Sequence, residues 1–423
     1  MGSLCIRNGR VIDPSQGMDR VTNLRIEGGR ISAFDAVPGI HDRIIDASGY
    51  VVAPGLIDLQ VELREPGCEE DETIETGTAA ALAGGYTSIA CLPNTDPPID
   101  TQASVEFVRQ KAARAHHCNV FVIACVSKNR EGKELAEIGS LVEAGAVGFS
   151  DAGRPIQNAE LLRRALEYCL MFDKPIFSHP EMTELTHGGI MHEGMTSLVL
   201  GLAGMPAAAE DLMVGRDLRL AESTGGRIHL IDISSAGSVE LIRRAKARGL
   251  HVSASICMPN LVFTDERLRT FDANYKVNPP LRSQDHLDAC VAGLADDTIE
   301  VIASGHAPRA SEKKMRELDQ APFGMINLET TLSLVITRLI DTGLLDWPQA
   351  IAKLSTNPAR VLGLKSKGSL RIGADADVVV IDPEATWLVD AQRFRSRSSN
   401  TPLIGSQLKG RAIHVIVAGE VKL

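Results

Sequence analysis

VVAPGLIDLQVELREPG, residues 51–67, decides the fold of this chain. The leading part, VVAPGLIDL, is nearly all apolar and reads as a strand buried on both faces. The next five residues alternate, Gln60-Val61-Glu62-Leu63-Arg64. Successive side chains of a strand point to opposite faces, so Gln60, Glu62 and Arg64 are predicted to share one side. If the strand belongs to a parallel barrel, these groups stand at the C-terminal strand ends, where such a barrel places its chemistry.

Working outward, similar apolar, β-branched runs recur at YTSIACLPN, NVFVIACVS, AVGFSD, KPIFSHP, RIHLIDISS, HVSASICMP and IEVIASGHAP. Helical patterns lie between them, among them VEFVRQKAARA, ELLRRALEYCLMF and SVELIRRAKARG. Eight buried strands alternating with helices over about 250 residues predict a (β/α)8 TIM barrel. A doubly wound open sheet is the competing α/β architecture, but no Gly-rich phosphate loop follows the first strand. Residues 326–345 and 348–364 read as closing helices. Both ends have a different texture, short strands with glycine turns: LCIRNGRVID and TNLRIEGGRISAF at the start, GADADVVVIDP and GRAIHVIVAGEVKL at the finish. Arg10–Asp13, beside Asn8-Gly9, and Ile416–Val421 read as matching hairpin arms. The predicted organisation is a barrel over 54–365 and a small β-sandwich domain assembled from 1–53 and 366–423.

The composition narrows the function classes. The chain has 423 residues, 44% of them hydrophobic, and a net charge of -10. No apolar run approaches a membrane span, and MGSLCIRNGRVID has no apolar signal-peptide core, so a cytoplasmic protein away from membranes is expected. The negative charge and the absence of a Lys/Arg cluster argue against nucleic acid. The one basic patch, Arg393-Phe394-Arg395-Ser396-Arg397, sits in a Ser-rich stretch and reads as a solvated face. Eight cysteines form no C-x-x-C pair, and several lie inside apolar runs, so they read as reduced core thiols.

LREPG (63–67), CLPNT (91–95), MHEG (191–194), KVNPPLR (276–282), APFG (321–324) and NPARVLGL (357–364) follow one another in the order seen in the dihydroorotases of the amidohydrolase superfamily. The chain closely resembles that family over nearly its whole length. The resemblance implies two metal-binding histidines at the positions of Gln60 and Glu62. It implies a bridging aspartate at Ala152, within Ser150-Asp151-Ala152-Gly153, and a histidine ligand retained as His179 in FSHPE. A family histidine is Asp232 here. The aspartate that both ligates metal and shuttles the proton is Gly305, followed by His306-Ala307-Pro308-Arg309. Arg64, Asn94 and Asn278 match family residues that hold the substrate's carboxylate and ring, while Arg309 replaces a histidine that also touches substrate. Met258-Pro259-Asn260 stands where the family has Pro-His-His.

Opening a cyclic amide at neutral pH needs a hydroxide made from metal-bound water, a Lewis acid on the carbonyl and a positioned base. Gly305 supplies no base and Ala152 cannot bridge cations, so no catalytic residues, no metal and no cofactor are expected. His179 then reads as a hydrogen-bonded core histidine. Two alternatives stay open: Glu62, Asp151 and Asp232 with His179 as an oxygen-rich mononuclear site, or a histidinium–carboxylate cluster filling the emptied pocket. His306 reads as a loop support, and His116-His117 as surface.

Three functions compete. By its resemblance, the chain is a non-catalytic dihydroorotase homologue that serves as a structural subunit beside the aspartate carbamoyltransferase catalytic chain in pyrimidine biosynthesis, a homo-oligomer within a mixed complex. The second is an amidohydrolase with an altered mononuclear metal site and a different cyclic amide substrate. The third is a binding protein that senses dihydroorotate or carbamoyl aspartate through Arg64, Asn94 and Asn278.

Overall fold

Strands and helices alternate through the middle of the chain in the computed structural model, which describes residues 3–423. The inner strands are β1 (Leu56–Val61), β2 (Tyr86–Cys91), β3 (Asn119–Ala124), β4 (Ala146–Phe149), β5 (Ile176–Ser178), β6 (Ile228–Leu230), β7 (Val252–Cys257) and β8 (Val301–Ala303). They pair in parallel in chain order. A parallel bridge between Val61 and His306, with the Glu62 N–H donating to the His306 carbonyl at 3.0 Å, joins the last strand to the first. This is the (β/α)8 barrel read from the sequence.

Inside the barrel Ile57, Leu59, Ala90, Ile123, Phe177, Ile231 and Val301 form one packed cluster. A larger core lies between strands and outer helices. The helix α1 (Ile74–Ala83), after β1, is absent from the sequence reading. It buries Ile74 and Leu82 at its two ends, but the residues buried between them are Gly77, Thr78, Ala80 and Ala81, too small to mark an amphipathic stripe. A capping box between Thr73 and Thr76 starts it. The helix α2 (Gln102–Ala115) shows the usual signal, burying Val105, Val108 and Ala112 and leaving its charged face to solvent.

The run VVAPGLIDL belongs to two sheets rather than one. Val51–Pro54 pairs with Leu4–Asp13 in parallel and with Val378–Leu388 antiparallel, whereas Leu56–Val61 is barrel strand β1. Gly55 sits at the switch, where a Cβ would lie 2.1 Å from the Thr87 hydroxyl. Strands from both termini thus form one mixed eight-stranded sheet with its own buried cluster, including Ile6, Val11, Leu24, Val378 and Ile416. The hairpin at Ile416–Val421 is present. Asn8-Gly9 is not a turn: Leu4–Asp13 runs through it as one strand with a bulge, Asn8 taking φ 60°.

The basic patch also does more than the sequence suggested. Arg393, Arg395 and Arg397 are exposed, but Ser396 and Ser398 are buried and strap the segment across the end of the barrel. Among the described residues no helix is long and apolar enough to cross a membrane. All eight cysteines are free thiols, and Cys68 alone among them is not fully buried.

Candidate functional site

The site begins with a slip in register. The pairing of β1 with β2 shifts between Asp58 and Val61, which lets Leu59 fill the barrel interior while Gln60, next to it, faces the cavity above. Asp58 holds the slip in place. Its carboxylate accepts the Gln60 N–H at 2.9 Å and the Ser304 N–H at 3.0 Å, tying the first strand to the eighth. Burial pushes the Asp58 carboxyl up to about 6.

Asp232, after β6, is the hub. It accepts from the Gln60 amide at 2.6 Å, from the Cys257 thiol at 3.0 Å, and pairs with His179 Nδ1 at 2.8 Å. The other face of the His179 ring meets Glu181 at 3.3 Å, and Glu181 accepts from Asn278 at 2.8 Å. Burial alone would lower the His179 imidazole, but the hydrogen bonds and charges of Asp232 and Glu181 outweigh it and raise it to about 10. Burial alone would raise Glu181, yet His179, Thr186 and Asn278 bring it down to about 2. The same balance lowers Asp232. This is a histidinium held between two carboxylates, one of the two arrangements the sequence left open.

The other arrangement is not formed. Asp151 is turned away from the cavity and accepts from the backbone N–H groups of Val126 at 2.9 Å and Ser127 at 3.1 Å, and from the Ser127 hydroxyl. Glu62 pairs with Arg64 instead of joining His179. Ala152 is buried at the cavity wall. Gly305 takes φ +64°, and a Cβ there would fall 2.7 Å from the Cys257 sulfur. His306 is buried; its Nδ1 accepts from the Asn327 N–H at 3.3 Å and its Nε2 lies 3.4 Å from Glu72, which fits a loop support. Glu72 in turn accepts from the Ser396 hydroxyl and, at 2.9 Å, from the Arg397 N–H, anchoring the C-terminal strap. His116 is exposed, as expected of a surface residue.

The side chains do not fit a divalent metal. Gln60 offers an amide already bonded to Asp232, Ala152 and Gly305 offer nothing, and His179 Nδ1 is occupied by Asp232. Among the described residues no three His, Cys, Asp or Glu side chains are grouped to hold an ion.

A cavity of about 410 Å³ remains above the hub, and Arg64, Asn94 and Asn278 all line it. Arg64 is tied to Glu62 and donates from Nε to the Pro308 carbonyl at 3.3 Å. Asn278 is engaged by Glu181, while the Asn94 carbonyl oxygen is buried without a partner. Arg309 also lines the cavity and donates from Nε to the Phe323 carbonyl at 2.9 Å. Three contributors escaped the sequence reading. Glu181 was marked by standing two residues after His179, and Cys257 by its place at a strand end. Arg130 lies in a loop and carried no signal.

Barrel, terminal sheet and a polar rim at the strand ends define an amidohydrolase-type protein. The chain belongs to the dihydroorotase-like family: the Dihydro-orotase-like family matches residues 49–238 and the Amidohydrolase family residues 221–422. It is 48% identical over 419 residues to a dihydroorotase of Pelotomaculum thermopropionicum, covering 99% of this chain and 98% of that one. It is 46% identical over 421 residues to a dihydroorotase of Syntrophus aciditrophicus, with 99% and 98% covered. In fold it is similar to the L-hydantoinase (dihydropyrimidinase) of Arthrobacter aurescens, with a TM-score of 0.89, 24% identity, and 100% and 96% of the two chains covered.

Proposed function

We propose that this chain is a non-catalytic member of its family, a structural subunit that aspartate carbamoyltransferase needs for assembly or activity. One observation carries the reading. The carboxylate of Asp232 is saturated by Gln60, His179 and Cys257, and position 305 opposite it has no side chain to take a proton. Without a base and an activated water, amide opening loses the terms that supply most of its acceleration. A full-length barrel that keeps its rim motifs without that chemistry is suited to presenting a surface, and a chain that oligomerises can impose closed symmetry on a mixed complex. The carbamoyltransferase as partner rests on the family resemblance. The test is to express that enzyme alone and together with this chain. Co-migration on gel filtration, with carbamoyltransferase activity that depends on this chain, is the expected result. Separate migration at micromolar concentration, with the enzyme alone fully active, overturns the reading.

A second reading is favoured by the relatives named dihydroorotase, which match along their whole length. On it the chain is an amidohydrolase with an altered mononuclear site and a different cyclic amide substrate. Zinc-dependent turnover of a cyclic amide by the purified protein at about 1 per second or faster would establish it in place of the first.

A further inference from the structure

The cavity's cations divide into two groups. Arg64 is paired with Glu62, Arg309 lies 3.6 Å from Asp71, and His179 is held by Asp232 and Glu181. Arg130 and Arg154 also line the cavity, and neither pairs with a carboxylate among the described residues. Arg130 is half-buried. Its Nη2 reaches only the carbonyl oxygens of Ala152 and Asp151, and its Nε is buried with no partner. Taking a charge out of water without a counter-charge is costly, so a guanidinium left this way calls for an anion.

The backbone leaves room for one. Gly153 sits between the two arginines, and a Cβ there would come within 3.1 Å of Arg130 Nη2. Arg130 and Arg154 also form the shared wall to a second cavity of about 360 Å³, lined by Gly132, Lys133, Gln157 and Asn158. Lys133 is paired with Glu131 at 3.0 Å, so the cations here without an ion-pair partner are the two arginines.

We propose that Arg130 and Arg154 form a site for the phosphoryl group of a small phosphorylated metabolite, whose organic part occupies the cavity above Asp232. Two guanidinium groups without an ion-pair partner match a phosphate dianion, whereas a single carboxylate would engage only one of them. Guanidinium forks suit phosphate oxygens in geometry as well as charge. The site lies after the ends of β3 and β4, apart from the Arg64–Glu62 pair that follows β1, and does not depend on whether a carbamoyltransferase complex forms.

The test is titration calorimetry of the isolated chain at low ionic strength with inorganic phosphate, and with succinate as a dicarboxylate of equal charge. Phosphate is expected to bind in the millimolar range or tighter, and about tenfold or more weakly in Arg130→Gln and in Arg154→Gln. Arg154 is exposed, so Arg154→Gln and Arg154→Glu report binding even if Arg130→Gln disturbs its loop. Added salt is expected to weaken binding, since the anion stays near solvent. No phosphate binding at about 10 mM, unchanged binding in both Arg154 variants, or succinate binding as tightly as phosphate overturns the proposal.

Discussion

A Cβ at position 305 would stand 2.7 Å from the sulfur and 2.9 Å from the Cβ of Cys257, so the thiol occupies the space that a side chain just after the eighth strand would need. Cys257 is itself locked in place, donating to Asp232 at 3.0 Å. The emptied position and its neighbour are packed against each other, and one cannot be refilled without moving the other.

Gly305→Asp is therefore expected to lower stability by about 1–3 kcal/mol through overpacking, with some further strain from φ +64°. Cys257→Ala removes the nearer of the two atoms, so the double variant is expected to be more stable than the sum of the single changes, by about 1 kcal/mol. Denaturant unfolding of the four proteins measures this. A fully stable Gly305→Asp would mean the seventh strand yields more easily than its contacts imply.

The His179 cluster gives stability a defined pH dependence. An imidazole raised from an unfolded value of about 6.5 to about 10 stabilises the fold fully below about pH 6.5, and that contribution is lost as pH rises through about 10. Glu181, lowered to about 2, contributes above its unfolded value near about 4 and loses that contribution as pH falls toward about 2; Asp232, also lowered, acts in the same direction. The cluster is thus strongest near about pH 5–6.5. Asp232→Asn is expected to cost about 2–4 kcal/mol at pH 6 and to remove much of the decline between about pH 7 and 10. Melting temperatures across that range check it; an unchanged slope in the variant would place the titration elsewhere.

Chelation is expected to leave the melting temperature unchanged, because the positions of Gln60, Ala152 and Gly305 give a divalent ion no set of donors. Gln60→His with Glu62→His is likewise expected to produce no dihydroorotate hydrolysis with added zinc. It restores one pair but neither the bridge nor the base, and such groups act as a unit. It also takes away the counter-charge of buried Arg64. Zinc-dependent turnover in the double variant would show that another residue supplies the base.

Glu72 gathers His306, Ser396 and the Arg397 N–H, and so fixes the C-terminal strap to the barrel end. Glu72→Ala is expected to free residues 395–398 and to raise the rate of tryptic cleavage after Arg395 or Arg397 about tenfold or more, while the remaining barrel resists. Equal cleavage of variant and parent would mean that Ser398, bonded to the Asp71 carbonyl at 2.6 Å, suffices to hold the strap.

The barrel was legible in the sequence because buried parallel strands must be apolar along their length, and the runs from Leu56 to Ala303 are. So were the missing donors at Ala152 and Gly305, since a side chain that does not exist needs no structure to be noticed. Helix α1 was not legible, because Gly77, Ala80 and Ala81 pack closely without leaving an apolar stripe. Asp151 and Glu62 could not be placed either. Which way a carboxylate turns depends on its donors, for Asp151 the distant Val126 and Ser127, for Glu62 the neighbouring Arg64, and on the register slip after Asp58. The chain by itself determined which residue types stand at the rim. Only the tertiary structure decided their partners: Gln60 and Cys257 turned to Asp232, Glu62 turned to Arg64 rather than to His179, and Arg130 was left without an ion-pair partner, because hydrogen bonds and ion pairs are settled by distances of a few ångströms that the folded backbone sets.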